Sequence, residues 1–172
     1  ISYYHAANSA AIMDIPQSYY NMVRPGIMAY GYHPSKEILN KQDLKPVLSL
    51  LTKISFVKKV KENTPISYNH IYKTTKETTI CTLPIGYADG LNRMLSNKGK
   101  ILINDKLFPI VGRICMDQCL IDTNDYPVKE GDNVIIIGEG LWADKMADLL
   151  NTIPYEITCN LGNNINRSYI GG

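Results

Sequence analysis

The feature that most constrains this fold is a series of short apolar runs, separated by turn residues, that follows residue 46. The runs are Val47–Val60, Thr78–Ile85, Lys100–Ile103, Leu107–Ile114, Cys119–Asp122 and Asn133–Ile137. The turn residues between them are Asn63–Pro65, Asp89–Gly90, Asn104–Asp105 and Lys129–Asp132. Short strands at this spacing predict a mostly β domain, either a small barrel or a sandwich. Ala143–Leu150 favours a helix, and the tail Tyr155–Tyr169 has strand-like composition.

The first 31 residues follow a different pattern. Ile1–Tyr4 and Gly26–Tyr30 favour strands. Ile15–Met22 favours a short helix with Pro16 at its first position, where the missing N–H costs nothing. A strand, a helix and a second strand within about 30 residues have the size of a βαβ unit. Because one such unit cannot form a sheet that is buried on both faces, we expect this segment to belong to a larger α/β structure.

Composition and charge exclude several classes of function. The 172 residues carry 18 Lys and Arg against 16 Asp and Glu, and no basic, aromatic face for a nucleic acid stands out. No apolar run approaches the roughly 20 residues that cross a bilayer, and residues 1–11 lack a signal-peptide pattern. Four cysteines fit neither a disulfide scaffold nor a common zinc spacing. We therefore expect a cytoplasmic protein with reduced thiols, no metal site and no membrane contact.

Two motifs near the start contain the residue types with which a barrel holds an anion. Asn8–Ala11 offers a small hydroxyl residue, and Arg24–Ile27 contains a glycine whose backbone allows close approach. On spacing alone, an ordinary turn with a surface arginine explains these residues better than an anion site does.

Three further places put polar or aromatic residues where an apolar run ends. They are Ile66–Tyr68, Leu83–Gly90 and Val111–Gln118. A tyrosine, with an ordinary pKa of about 10, acts as an acid or a base only where a neighbour or a cofactor adjusts it. Most strand tyrosines are packing residues, and Asp89–Gly90 is a good turn by itself. At each of these three places, the residues alone are compatible with either a functional site or an ordinary strand end.

Six motifs occur in this order along the chain: His5–Ala11, Met22–Ile27, Ser67–Tyr68, Gly86–Gly90, Gly112–Gln118 and Tyr155–Glu156. Taken together, they resemble the C-terminal part of bacterial alanine racemases, two-domain enzymes that use pyridoxal 5′-phosphate (PLP). They extend over nearly the whole chain. The resemblance implies an isomerase that interconverts L- and D-alanine for the supply of peptidoglycan precursors.

The resemblance also implies a domain organisation. Residues 1–40 would be the last strand–helix–strand piece of a TIM-type α/β barrel that binds PLP, and residues 41–172 the mostly β, barrel-like C-terminal domain. The lysine that forms the Schiff base with PLP would lie outside this chain, so we expect the segment alone to be inactive. Family members are homodimers in which this β domain reaches the active site of the partner subunit.

The resemblance assigns roles to particular residues. Racemisation needs an acid–base group on each face of the reacting carbon, and Tyr68 matches the family's tyrosine for one face. Arg24 matches the arginine that donates to the pyridine nitrogen of PLP and so leaves that nitrogen unprotonated. Met116 matches the residue whose N–H faces the substrate carboxylate. The residues that match those around the PLP phosphate are Ser9, Gly26, Ile27 and Tyr155. Those that match the substrate access corridor are His5, Tyr87, Arg93 and Arg113.

The chain departs from the family pattern at a few positions. Asn69 and His70 stand where the family has a glycine and a small residue after Tyr68, and Asn164 and Asn166 replace an arginine and a proline. Asn69 tolerates a positive φ, whereas His70 adds bulk and a titratable group. These departures bear on substrate preference, so serine stays open beside alanine. The alternatives are a serine racemase of the membrane-tethered vancomycin-resistance type and a non-catalytic dimerisation domain of racemase ancestry.

Overall fold

The computed structural model describes residues 2–171 of the chain. It divides into two compact units, the first ending at Leu48 and the second beginning at Ser49. Within the described residues, no helix combines the length and the apolar character that a membrane span requires.

The first unit consists of short helical segments and loops. Helix α1 is Ser9–Asp14, and 3₁₀ turns follow at Pro16–Ser18 and Ile27–Tyr30. Asn8 caps α1, because its side-chain oxygen accepts the Ala11 N–H at 3.1 Å. Between residues 2 and 48 no strand is present.

Residues 2–31 therefore do not form the predicted strand–helix–strand arrangement. Of the predicted strand Ile1–Tyr4, Ile1 lies outside the described residues and the rest is in no strand. The Tyr4 N–H donates instead to the Asn21 side chain at 2.7 Å. A strand needs a neighbouring strand for its backbone hydrogen bonds, and residues 2–48 supply none.

The predicted helix and second strand of this unit also differ from the structure. Ile15–Met22 contains only the 3₁₀ turn Pro16–Ser18, although its proline does stand at the first helical position. The predicted strand Gly26–Tyr30 is mostly a 3₁₀ turn, and Gly31 ends it with a φ of 84°. An apolar run this short fits a helical turn as well as a strand.

The second unit is mostly β, which confirms the predicted fold class. Its strands are β1 Leu50–Lys53, β2 Phe56–Val60, β3 Pro65–Ile66, β4 Tyr72–Lys73, β5 Thr78–Leu83, β6 Lys100–Ile103, β7 Lys106–Pro109, β8 Cys119–Asp122 and β9 Asn133–Ile137. They pair antiparallel in two sheets, with orders β1-β9-β6-β7 and β2-β5-β8, and in the ribbon β3-β4. Helices α2 Ala143–Leu150 and α3 Pro154–Cys159 follow the strands.

The two larger sheets are linked to each other around an apolar core. Ile110, directly after β7, forms a β-bridge with Ile121 of β8, and the Val111 N–H donates to the Leu120 carbonyl at 2.8 Å. On the other side, β1 of the first sheet continues into β2 of the second through the buried Ile54. Other fully buried side chains of this core include Leu83, Ile101, Ile103, Ile136 and Ile137.

Most predicted elements of the second unit are confirmed. The strands β6, β8 and β9 and the helix α2 have the predicted bounds. The run Val47–Val60 contains two strands, β1 and β2, because the chain changes sheets between them. The prediction of strand-like structure for the tail Tyr155–Tyr169 is wrong. Pro154 and Glu156 lie in the first turn of α3, where both residue types favour a helix.

Candidate functional site

Three residues predicted to surround a phosphate come together in the first unit. Ser9 is 2% exposed, and its Oγ accepts the Gly26 N–H at 2.9 Å and the Met28 N–H at 3.4 Å. These bonds fix the first residue of α1 against the start of the Ile27–Tyr30 turn. Because the oxygen accepts in both bonds, the Ser9 hydroxyl is left as a donor.

Arg24 and His5 lie on the surface of the same unit. The Arg24 N–H donates to the Ala7 carbonyl at 2.9 Å, and its Nη2 donates to the Ala6 carbonyl at 3.1 Å. Arg24 is therefore fixed beside the segment that carries His5. A guanidinium has five N–H donors, so these contacts leave donors for a ligand.

Tyr68 lies in a strained turn between β3 and β4, Ser67–Ile71, which we call the tyrosine turn. Ser67 has φ 62° and ψ −172°, and Asn69 and His70 have φ 58° and 50°. Non-glycine residues stay in this region only where their surroundings determine the backbone. The Tyr68 residue itself is 70% exposed. The structure thus fixes the backbone of the turn and leaves the tyrosine accessible.

The ribbon β3–β4 that carries this turn is anchored on the sheet below. Ile66 of β3 packs against Ile80 and Val111. On β4, the Tyr72 hydroxyl donates to the Asp122 carboxylate at 3.0 Å. Burial, and then this hydrogen bond, raise the pKa of Tyr72. Both strands of the ribbon are therefore held on the sheet next to the tyrosine turn.

The segment Gly112–Gln118, which carries Arg113 and Met116, lies against the tyrosine turn. The Ser67 hydroxyl donates to the Arg113 carbonyl at 2.7 Å. Gly112 has φ 73°, and a Cβ atom on it would lie 2.7 Å from the Ser67 Cβ. Only glycine allows both this backbone conformation and this approach.

A second turn brings Tyr87 to the same segment. The Tyr87 N–H donates to the Cys115 carbonyl at 3.0 Å, and the Ala88 N–H donates to the Met116 carbonyl at 2.9 Å. The second unit therefore assembles the backbones that carry Tyr68, Tyr87, Arg113 and Met116.

The two predicted corridor arginines of this unit differ in their surroundings. Arg113 is partly buried, and its Nε is buried without a hydrogen-bond partner among the described residues. Arg93 is exposed, and its carbonyl accepts the Ser96 hydroxyl at 2.6 Å. The same hydroxyl oxygen accepts the Ile114 N–H at 3.0 Å, which joins the Arg93 turn to the segment Gly112–Gln118.

A cavity of about 390 Å³ lies beside Tyr68. Its lining residues are Ser67, Tyr68, Thr82, Cys115, Gln118 and Leu120. The volume lies in the range of small-molecule sites. A larger cavity, of about 680 Å³ next to β7 and β8, contains none of the predicted site residues.

Tyr155 lies in α3 of the second unit, whereas the other predicted phosphate residues lie in the first unit. It is partly buried, and this burial raises its pKa.

The sequence reasoning missed Asn97. Its Oδ1 accepts the Gly112 N–H at 2.6 Å, and its Nδ2 donates to the Ile71 carbonyl at 3.2 Å. The available signal was an asparagine followed by Lys98 and Gly99, a pattern of turns. That signal predicts the positive φ of 57° at Asn97 but not the partners of its side chain.

Comparison with known proteins gives the family. The model of the alanine racemase C-terminal domain matches residues 47–169, and the model of the alanine racemase N-terminal domain matches residues 1–34. The chain belongs to the alanine racemase family. Alanine racemase 1 of Clostridium acetobutylicum is 46% identical over 96% of this chain and 45% of its own length. The chain thus spans less than half the length of the curated alanine racemases it matches.

Solved alanine racemase structures have the same fold. The enzyme of Bartonella henselae, with covalently bound pyridoxal phosphate, matches with a TM-score of 0.87 and 37% identity over 95% of this chain and 46% of its own. The enzyme of Bacillus anthracis, with bound L-Ala-P, matches with a TM-score of 0.87 and 41% identity over 92% of this chain and 42% of its own.

Proposed function

We propose that this chain is part of a PLP-dependent alanine racemase in which Tyr68 moves a proton at one face of the substrate α-carbon. One observation carries the proposal. The tyrosine turn holds the backbone of Tyr68 in a strained conformation beside a cavity of small-molecule size, while the residue stays 70% exposed. A group that exchanges protons with a substrate needs both a fixed position and access.

The donor set of the first unit fits the phosphate of PLP. Ser9 offers a hydroxyl donor, and Ile27 begins a helical turn, where N–H groups have no partner within the turn. Gly26, between them, lies close to the Ser9 Oγ, since a Cβ on it would be 3.6 Å away. Arg24 is proposed as the donor to the pyridine nitrogen, and Tyr155 as a further phosphate contact on the resemblance alone.

Tyr68 is proposed as the acid and base for one face of the substrate. When bound, PLP withdraws electrons from the α-carbon of an attached amino acid and so makes its proton acidic. With its side chain as the phenolate, Tyr68 takes that proton from one enantiomer and becomes the neutral hydroxyl, and in the reverse direction this hydroxyl returns the proton to the same face and becomes the phenolate again. For the opposite face the family resemblance implies a lysine, which we propose lies outside this chain.

The remaining residues are proposed to bind and admit the substrate. Met116 is exposed, and its N–H is proposed to donate to the substrate carboxylate. The residues proposed for the access corridor are His5, Tyr87, Arg93 and Arg113. The buried Nε of Arg113 has no hydrogen-bond partner within residues 2–171, and this supports a role in attracting a carboxylate, because an unsatisfied buried donor is costly without a ligand.

The wider biological context rests on the family. We propose that residues 1–40 complete a PLP-binding barrel, that residues 41–172 form the β domain, and that the complete protein is a homodimer. In this arrangement Tyr68 and Met116 act in the partner's site. The proposed role is a cytoplasmic supply of D-alanine for bacterial peptidoglycan.

The test is racemisation by the complete protein that contains this chain, loaded with PLP. L-Alanine and L-serine are supplied in parallel, and the D-enantiomer is measured by chiral chromatography. We expect D-alanine to form faster than D-serine. Faster formation of D-serine would reassign the substrate within the same chemistry, and no turnover of either amino acid with PLP bound would contradict the enzyme proposal.

A further inference from the structure

The backbone of Gly112–Ile114 depends on side chains for its hydrogen bonds. This segment is in no strand, and its first and last residues are buried. The Gly112 N–H donates to Asn97 at 2.6 Å and the Ile114 N–H donates to Ser96 at 3.0 Å, while the Arg113 carbonyl accepts from Ser67 at 2.7 Å. Because buried backbone groups must be paired, these side chains determine where the segment lies.

Asn97 also reaches the tyrosine turn. Its Nδ2 donates to the carbonyl of Ile71, the last residue of that turn, at 3.2 Å. At the other end of the turn, Ser67 bonds to the Arg113 carbonyl. The turn is thus tied to the same segment at both ends, once by its own side chain and once by the amide of Asn97.

We propose that Asn97 and Ser67 are positioning residues for Tyr68, an inference that rests on the proposed function. Tyr68 is exposed, so the position of its hydroxyl depends on the backbone that carries it. The two side chains fix that backbone at Ser67 and at Ile71. Neither residue is proposed to contact the substrate; both act through Tyr68.

This role predicts an effect on one face of the substrate. A looser turn places the Tyr68 hydroxyl correctly for a smaller fraction of the time, which slows proton transfer at the face that Tyr68 serves. Proton transfer at the opposite face, binding of the cofactor and stability of the fold do not depend on the position of the Tyr68 hydroxyl. A residue with a merely structural role would affect both faces alike.

The most selective variant is Asn97→Asp. Aspartate retains an acceptor for the Gly112 N–H and tolerates the φ of 57°, but it has no donor for the Ile71 carbonyl. The matched control is Asn104→Asp, at another asparagine with positive φ (46°), in the turn between β6 and β7. The control adds the same charge without touching the tyrosine turn.

Two measurements are made on the complete protein. Amide hydrogen exchange of the peptide that contains residues 66–72 reports the turn without any assay of activity. We expect the amides of this peptide to exchange about fivefold faster in Asn97→Asp, because one exposed hydrogen bond is lost, and to exchange at an unchanged rate in Asn104→Asp.

The second measurement is the loss of the α-proton of L- and D-alanine in D₂O, which reports each face separately. We expect one enantiomer to exchange about fivefold more slowly and the other within about twofold.

The double variant Tyr68→Phe/Asn97→Asp separates positioning from other effects. If Asn97 acts through Tyr68, the double variant exchanges each enantiomer as fast as Tyr68→Phe alone. An equal loss for both enantiomers, an added loss in the double variant or unchanged amide exchange would overturn the positioning role. If the unsubstituted protein exchanges neither enantiomer, the proposed function fails and the catalytic part of this inference fails with it, whereas amide exchange still decides whether Asn97 holds the turn.

Discussion

Ser9 and Tyr68, the central candidates of the two units, are held in opposite ways. Ser9 is 2% exposed, and its side chain is itself fixed by two backbone N–H groups. Tyr68 is 70% exposed, and its backbone is fixed while its side chain is accessible. A buried, fixed hydroxyl suits the binding of a group that stays in place. An accessible ring on a fixed turn suits a proton transfer that must reach a substrate.

The two units that carry Ser9 and Tyr68 are also stabilised by different kinds of contact. The first unit is held by side chains that bind backbone groups, as when Asp14 accepts the N–H groups of Leu39 and Asn40 at 3.1 and 2.9 Å. These hydrogen bonds lower the pKa of Asp14, and the bond from Asn40 has the larger effect. The second unit has paired strands around an apolar core, and its strained turns stand on that core. The strained turn that carries Tyr68 therefore lies on a sheet, whereas Ser9 is held in place without one.

The largest expected effect comes from removing that support. Ile66→Ala leaves a cavity next to Ile80 and Val111 directly below the tyrosine turn, and we expect the free energy of unfolding to fall by about 2–4 kcal/mol. Leu51→Ala, at a residue that is mostly exposed, should change it by less than about 0.5 kcal/mol. Urea unfolding of the complete protein measures both. Equal effects would contradict the packing of Ile66 against Ile80 and Val111.

The next effect tests the buried hydroxyl of the first unit. Ser9→Ala leaves the N–H groups of Gly26 and Met28 without their acceptor, so we expect a loss of about 1–3 kcal/mol in stability and weaker binding of PLP. Unfolding of the PLP-free protein and a PLP titration measure the two losses. Ser35→Ala, at an exposed serine, is the control. Unchanged PLP affinity in Ser9→Ala would argue against the proposed phosphate contact.

A smaller effect depends on pH. Because the pKa of Tyr72 is raised in the folded state, its contribution to stability is present below its unfolded value of about 10 and is lost as the pH rises through the folded pKa. Tyr72→Phe should lower the free energy of unfolding by about 1 kcal/mol at pH 7. Above pH 10 the stability of this variant should decline less steeply than that of the unsubstituted protein. Parallel slopes in the two proteins would contradict this assignment.

The last effect needs no substitution. Burial raises the pKa of Cys119 to about 12 and that of Cys81 to about 11, whereas Cys159 is exposed. At pH 8 a thiol with a pKa of about 12 has about 10⁻⁴ of its population as thiolate. Iodoacetamide should therefore modify Cys159 in the folded protein and Cys81 and Cys119 only after unfolding. Modification of Cys119 at the rate of Cys159 would show that the core of the second unit opens.

The contrast between the units also explains what the sequence can predict. The hairpin β6–β7 is predictable because its two apolar runs are close together in the sequence and its turn, Asn104–Asp105, adopts the positive φ angles of 46° and 61° that these residues tolerate. The structure of residues 2–4 and of Gly26–Tyr30 is not predictable in this way, because their composition suits strands but a strand forms only beside a partner. The helix α3 was missed although Pro154 marks its start.

Some residues of the candidate site are likewise predictable from the sequence, and others are not. Motifs locate the loops that carry Tyr68, Tyr87 and Arg113, because each motif is continuous in the sequence. The contacts of Asn97 are not visible there, since its partners Gly112 and Ile71 lie 15 and 26 residues away. Residues that form a motif are therefore found from sequence, whereas residues that hold a motif in place require the structure.

The variant Tyr68→Phe, in the complete, PLP-loaded protein, decides whether Tyr68 moves a proton at one face of the substrate. The measurement is the rate at which L- and D-alanine each lose their α-proton in D₂O, with Tyr169→Phe, at an exposed tyrosine, as the control. We expect one enantiomer to exchange about 10³-fold more slowly and the other within about tenfold, while PLP absorbance and the control stay unchanged. An equal loss for both enantiomers, or no loss for either, would contradict the account.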